Sequence, residues 1–404
     1  MMVEKAALKG ITVLEIGDQL TQFAGKLLAD MGAEVIKVEP KEGAPSRKIG
    51  PFYKDIPDQN GSLYFWNYNT SKKSITLQLE TKEGQEKVTQ LLHDADVILE
   101  GNKPGQMKEW GLDYVTLSKR FPTLVYCSVT PFGQEGPWSQ YQSSDIVQLA
   151  LGGIMAVTGY DDVPDAPPIA PTGGQSYHLA GYFAAMGIVS ALLHRDFKKE
   201  GQFIDISVHD CVTVSTEMSL PYWIYQKEHV IRQTGRHALP NRSVRWNLKC
   251  KDDKYILVLN TYLDTKRWKG LVSWLSSYQL EEDLADERYV DDKYRAQRME
   301  HVTDVLERFC IQFDSEYIYH KAQSIGLPWA PVRAPEDMIH DKHLREDRKV
   351  FASVYHPEVN ESFTYPGAPY KLHETPWGIS KRPPLLGEHN EEYSINLRTS
   401  NLSN

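Results

Sequence analysis

The feature that most constrains this chain is an alternation near its start. "ITVLEIG" (11–17) is a short apolar run, rich in β-branched residues, that stops at glycine. "FAGKLLADMGA" follows with Leu27, Leu28 and Met31 at helical spacing, and Gly32 stands where a helix ends in a left-handed residue. "EVIKVEP" (34–40) is a second strand pattern, stopped by proline. Strand, helix and strand within about thirty residues make a βαβ unit, which requires parallel pairing and a right-handed crossover. The pattern recurs in "SITLQL" (74–79), helical "KEGQEKVTQLLHDA", "DVILEG", "TLVYCSVTPFG" (123–133) and Phe203–Val208. The expected fold class is α/β, a doubly wound sheet. Its ligands are expected beyond the carboxyl ends of the strands, here 15–18, 39–41, 100–103 and 130–134.

At 404 residues the chain has room for about two domains of roughly 150 residues each. The character changes near Pro221, where "YWIYQKEHVIRQTGRHALPNRSVRW" is aromatic and basic. "CKDDKYILVLN" reads as a hairpin with an Asp-Asp turn, and 262–325 as charged helices. The expected division is 1–220, a smaller α+β domain over 221–328, and a segment 329–404. In the last, "YPGAPYKLHETPWGISKRPPLLGEHNEEY" is too proline-rich for regular structure and is expected to wrap another surface.

Composition excludes several classes. The net charge is −9, from 45 basic against 54 acidic residues, so no nucleic-acid partner is expected. The most apolar run, Leu179–Leu193, is shorter than the roughly 20 residues of a membrane span and reads as a buried core helix; no membrane association is expected. "MMVEKAALKG" has no apolar stretch of the secretory kind. The four cysteines form no C-x-x-C, which fits buried thiols in a reducing, cytoplasmic setting. The 13 histidines show no H-x-x-x-H, and no metal is expected. No G-x-G-x-x-G follows the first strand, so a nicotinamide dinucleotide site of the usual kind is not expected; G-x-x-x-x-G-K-[ST] and G-x-S-x-G are absent too.

Basic residues fall near the strand ends: Arg47, Lys48, Lys72, Lys73 and Lys103. Together they read as hands for a phosphorylated cofactor, or singly as solvated surface. Gly173 and Gly174 stand directly ahead of the apolar run, with Gln175, Tyr177 and His178 at its start.

In order, "LKGITVLEIG", "LLADMGAEVIKVEP", "KKSITLQL", "ADVILEGNKPG", "YCSVTPFGQEGPW", "DIVQLALGGIMAVTG", "AAMGIVSALLHR", "GQFIDISVHD", "PGAPYKL" and "PPLLGEH" span nearly the whole chain. This set resembles the CaiB/BaiF family, the class III CoA-transferases. The resemblance implies a Rossmann-like large domain built from both chain ends, a smaller middle domain and an interlocked homodimer. It implies coenzyme A along the strand ends, near Gln19, Arg47, Lys73, Asn102, Lys103 and Met107. It implies an acyl-CoA and a small carboxylic acid as substrates, with an aspartate as carrier of CoA.

That aspartate position is Tyr177 here, and no acid occurs between Asp165 and Asp196. A phenol has no carbonyl and cannot carry CoA as a thioester. Three readings follow. A transferase without the usual nucleophile would let the acceptor acid attack the thioester directly, with Tyr177, Gln175 and the Gly173 and Gly174 amides polarising the carbonyl; alternatively Asp145 supplies the carboxylate. A second reading is a non-catalytic subunit beside an active homologue. The third is a racemase-type relative, which Ser144, standing where such relatives place a histidine, disfavours. Arg232, Arg236 and Arg242 are candidate counter-ions for the acid.

Overall fold

A computed structural model describes residues 5–259 and 263–394. Residues 1–4 of the opening segment, residue 262 of the expected helical stretch and 395–404 of the expected wrapping segment lie outside the described residues. The contacts divide the chain into two units: one from 1–154, 170–216 and 342–404, the other from 155–169 and 217–341.

The first unit is built on a six-stranded sheet in the order β3-β2-β1-β4-β5-β6. The strands are β1 (Thr12–Ile16), β2 (Glu34–Glu39), β3 (Lys73–Thr76), β4 (Val97–Glu100), β5 (Val125–Thr130) and β6 (Phe203–Ser207), each paired in parallel. Helices cover it: α1 (Gln22–Asp30), α2 (Leu63–Tyr68), α3 (Lys82–Leu91), α4 (Gln106–Glu109), α5 (Tyr114–Leu117), α6 (Asp145–Leu151), α7 (Gln175–Lys198) and α8 (Val208–Val214). The strand order reverses between β1 and β4, which opens a crevice at their carboxyl ends. Gly32 has φ +101° and closes α1 as the sequence implies.

The long helix α7, read from the sequence as a buried core helix, is buried on one face only. Ala180, Gly181, Ala184, Ile188 and Ala191 face the core. These small residues let α1 come close: a Cβ at Gly181 would stand 2.8 Å from Phe23 Cδ1. The outer face exposes Tyr182, Met186, Val189, Leu193 and Phe197, spaced by three or four residues so that they form one stripe.

The second unit contains the three-residue helix α9 (Ser219–Pro221), strands β7 (Asn247–Lys249) and β8 (Tyr255–Leu257), helices α10 (Thr265–Ser276), α11 (Asp292–Gln297), α12 (Met299–Cys310) and α13 (Ser315–Ser324), and β9 (Ala330–Pro331). β7 and β8 pair antiparallel around the Asp-Asp turn, where Asp253 takes φ +59°. The first strand of that hairpin lies before Cys250 rather than from it. Trp268, Trp274, Phe309 and Trp329 fill the core of this unit.

The chain then returns to the first unit, where β10 (Phe351–His356) and β11 (Glu361–Pro366) make a hairpin that the sequence reading did not foresee. Residues 367–394 carry no helix or strand. They cover the open edge of β3: His389 N donates to Ser74 O (3.0 Å), and Asn390 Oδ1 accepts from Thr76 N (2.9 Å). An edge strand with free backbone groups is thereby occupied.

Candidate functional site

A cavity of about 290 Å³ opens at the carboxyl ends of the strands. Asp18, Gln19 and Leu20 line it after β1, Gly101 after β4, Pro131 after β5 and Val208 at the end of β6; Pro45, Ser143, Gln148 and Tyr177 complete the wall. Three of the four strand ends singled out from the sequence therefore meet here, and the end of β2 does not contribute.

Tyr177 reaches the wall because of the glycine pair. Gly173 and Gly174 have φ +92° and +69°, and Gly174 is the residue that opens α7. Only glycine adopts such angles without strain, so the pair turns the chain sharply into the helix. Burial raises the Tyr177 phenol above its usual value, the nearby Asp145 carboxylate and Tyr64 add to the rise, and the Asp145 backbone amide opposes it. The phenol is therefore a hydrogen-bond donor at neutral pH.

Asp145 is occupied as a brace. Its Oδ1 accepts from Ser176 N (2.9 Å) and Ser176 Oγ (2.7 Å), joining the first turns of α6 and α7. A carboxylate at the start of α7 also suits the helix dipole. Gln175 is exposed and donates to Thr172 O (3.0 Å), and neither it nor the two glycines lines the cavity. His178, half-buried, sits 2.7 Å from the Tyr68 hydroxyl and packs on Phe23 at 4.5 Å; burial lowers it below the ordinary histidine value.

The residues assigned to CoA separate into two groups. Gln19 lines the cavity and donates to Tyr64 OH (3.3 Å). Asn102 lies beside it, its N–H on Glu100 Oε2 (2.8 Å) and its amide on Ile16 O and Met107 Sδ, both at 3.3 Å. Met107 is buried behind Asn102, and Lys103 is exposed. Arg47 and Lys73 are spent elsewhere, which corrects their reading as cofactor hands. Arg47 is fully buried, with Nε and Nη2 on the two Glu39 oxygens at 2.6 and 2.8 Å, Nη2 also on Pro384 O and Nη1 on Asn60 Oδ1, both at 3.2 Å, and its plane 3.7 Å over Phe65. Lys73 opens β3 at the opposite end of the strands and binds Glu34 (2.7 Å) and Glu392 (2.5 Å). Lys72 is likewise buried, on Glu15 at 2.7 Å. Lys48 is exposed.

Two residues of the expected strand ends, Asp18 and Glu100, were not named for a role, and Gln148 was missed altogether. Asp18 lines the cavity, but Ser46 N donates to Oδ2 (2.8 Å) and Ser46 Oγ to Oδ1; burial raises its carboxyl. Glu100 is buried at the end of β4, and burial pushes it up to about 7. Gln148 is buried on α6; a glutamine on the inward face of "DIVQLAL" was the signal available. Of the three arginines proposed for the acid, Arg232 donates to Ala166 O (2.8 Å) and Arg236 to Thr234 O (3.3 Å) inside the second unit, and Arg242 is exposed.

Comparison with known proteins agrees with this architecture. The family described as CoA-transferase family III matches residues 8–390. The succinyl-CoA:(R)-benzylsuccinate CoA-transferase subunit BbsE of Thauera aromatica is 30% identical over 95% of this chain and 92% of its own length. The succinyl-CoA–D-citramalate CoA-transferase of Chloroflexus aurantiacus is 32% identical, over 96% and 94%. The crystal structure of a CaiB/BaiF family protein from Brucella suis superposes with TM-score 0.81 at 26% identity, covering 97% of this chain and 100% of that one. This chain belongs to CoA-transferase family III, the CaiB/BaiF family, and its function is CoA transfer.

Proposed function

We propose that the chain moves CoA from an acyl-CoA, of which succinyl-CoA is the first to test, to a free carboxylic acid, and that it does so without an enzyme-bound CoA thioester. The observation that carries this reading is the state of the carboxylates around the cavity. The resemblance puts Tyr177 where the family has its acid, one oxygen of Asp145 accepts from Ser176, and both Asp18 oxygens accept from Ser46. The acceptor carboxylate then attacks the thioester carbonyl itself. The C–S bond breaks, CoA thiolate leaves, and a mixed anhydride forms. The thiolate attacks the acceptor-derived carbonyl of that anhydride, and the donor acid departs as its carboxylate. The Tyr177 O–H donates to the oxyanion that develops at the carbonyl.

Purified chain should exchange labelled CoA between succinyl-CoA and a free acid with sequential kinetics. Tyr177→Phe should lower kcat about 10²-fold, the scale for one lost oxyanion donor. Ping-pong kinetics, or a CoA thioester found on the protein by mass spectrometry, would overturn the direct route.

The relative BbsE is named as a subunit, and so is the L-malate CoA-transferase beta subunit of Chloroflexus aurantiacus. This favours a second reading, in which the chain is active only beside a homologue; exchange by the purified chain alone decides against it. The apolar stripe of α7 supports an interlocked homodimer, which sedimentation tests. The four thiols, all buried and unbridged, fit a cytoplasmic site of action.

A further inference from the structure

One buried side-chain polar atom among the residues that line the cavity has no hydrogen-bond partner among the described residues. It is Oε1 of Gln148, a residue with no exposed surface. The orientation of this amide is determined by its surroundings. Nε2 lies 3.0 Å from Pro131 O and 2.7 Å from Ser143 Oγ. A carbonyl only accepts, so the atom facing Pro131 is the NH₂ and the orphan is the oxygen.

Native folds satisfy nearly all such buried acceptors. No donor of the described residues makes a hydrogen bond to it. Pro45 and Pro131 lack an N–H, Gly101 N donates to Ile16 O (3.1 Å), Asp18 only accepts, and Gln19 gives its amide to Tyr64. A donor carried by a ligand in the cavity would meet this acceptor.

We propose that Gln148 is a positioning residue whose Oε1 accepts a hydrogen bond from the bound substrate, either from an amide N–H of the pantetheine arm or from a hydroxyl carried by the acid. The proposal rests on the reading that a CoA thioester occupies this cavity. Tyr177 holds the carbonyl oxygen from one part of the wall, and Gln148 holds a neighbouring donor from another. Two anchors fix the rotation of the thioester where one would leave it free.

The test compares matched ligands by calorimetry and transfer kinetics. The first pair is succinyl-CoA and an analogue in which the amide N–H nearest the thiol is replaced by an ester oxygen. The second is malate and succinate as acceptor acids. In the wild-type chain one pair should separate about tenfold in Kd or KM, the scale of one hydrogen bond to a buried acceptor. Separation of the first pair assigns the pantetheine arm, and of the second the acid. In Gln148→Met the separation should vanish, with KM changed more than kcat, which a merely structural role would not produce. The wild-type comparison stands even if that variant does not fold. If wild type binds succinyl-CoA and treats both members of each pair alike, the proposal is overturned and the transferase reading survives. If wild type binds neither CoA nor succinyl-CoA, the transferase reading itself falls and this proposal with it.

Discussion

Two stretches of one sheet's carboxyl rim treat buried polar groups in opposite ways. Along β1 and β2 every charge is consumed. Lys37, fully buried, donates to Glu15 Oε1 and Gly17 O at 3.0 Å, and Arg47 closes on Glu39. Burial alone would raise Glu15 and Glu39, but Lys37 and Lys72 hold the first below its usual value, and Arg47 the second. Across β4 and the start of α7, burial is not answered by a cation. Burial pushes Glu100 up to about 7 against the bonds from Ser128 and Asn102, burial raises Tyr177, and Gln148 Oε1 is unmet. The first stretch is a brace and the second is a receptor. A basic residue near a strand end is thus poor testimony for a phosphate site until its partners are known, because a buried cation is kept only where acids neutralise it.

The sharpest way to break this contrast is to cut the brace. Arg47→Ala leaves Glu39 buried without its cation and should cost about 3–5 kcal/mol in denaturant unfolding. A loss below about 1 kcal/mol would show that the pair is not the support described. Next comes Glu100, whose carboxyl is at about 7 folded against 4.5 unexposed to the fold. An acid raised by folding contributes stability that is full below the unfolded value and lost as pH rises through the folded one. Wild type should therefore lose up to about 3 kcal/mol relative to Glu100→Gln between pH 4.5 and 7. Parallel urea midpoints for the two proteins across that window would place Glu100 with the brace instead.

Gly174→Ala puts a side chain on a left-handed residue and should cost about 1–2 kcal/mol. It should also weaken thioester binding, since it shifts the turn that presents Tyr177; unchanged binding would detach the turn from the receptor. The smallest stability effect belongs to Lys103→Ala, within about 0.5 kcal/mol for an exposed side chain. Its CoA affinity should nonetheless fall, with a shallower salt dependence, if Lys103 is the cation that meets phosphate. An unchanged salt dependence would leave the receptor without a cation from this loop.

Much of the fold was legible because its signals are local. β1, β2, β4, β5 and β6 fall within the apolar runs read for them, β3 one residue ahead of its run, and Gly32 ends α1 as a left-handed residue should. The hairpin of β10 and β11 was missed because it lies in a polar, proline-flanked stretch with weak alternation. Tyr177 lines the cavity, at the turn that the glycine pair makes. Gln175 does not, since a side chain one turn position away points to Thr172 instead.

What the chain's own pattern determined was therefore the parallel sheet and the bend that carries Tyr177, each a matter of periodicity or of backbone angles that only glycine tolerates. Only the tertiary structure decided which polar groups are spent. Arg47 meets Pro384, Lys73 meets Glu392 and Asp145 meets Ser176 across long stretches of chain, and no local pattern encodes such pairings. The availability of a charge is a property of its neighbours in space, so the receptor face appeared only when those neighbours were counted.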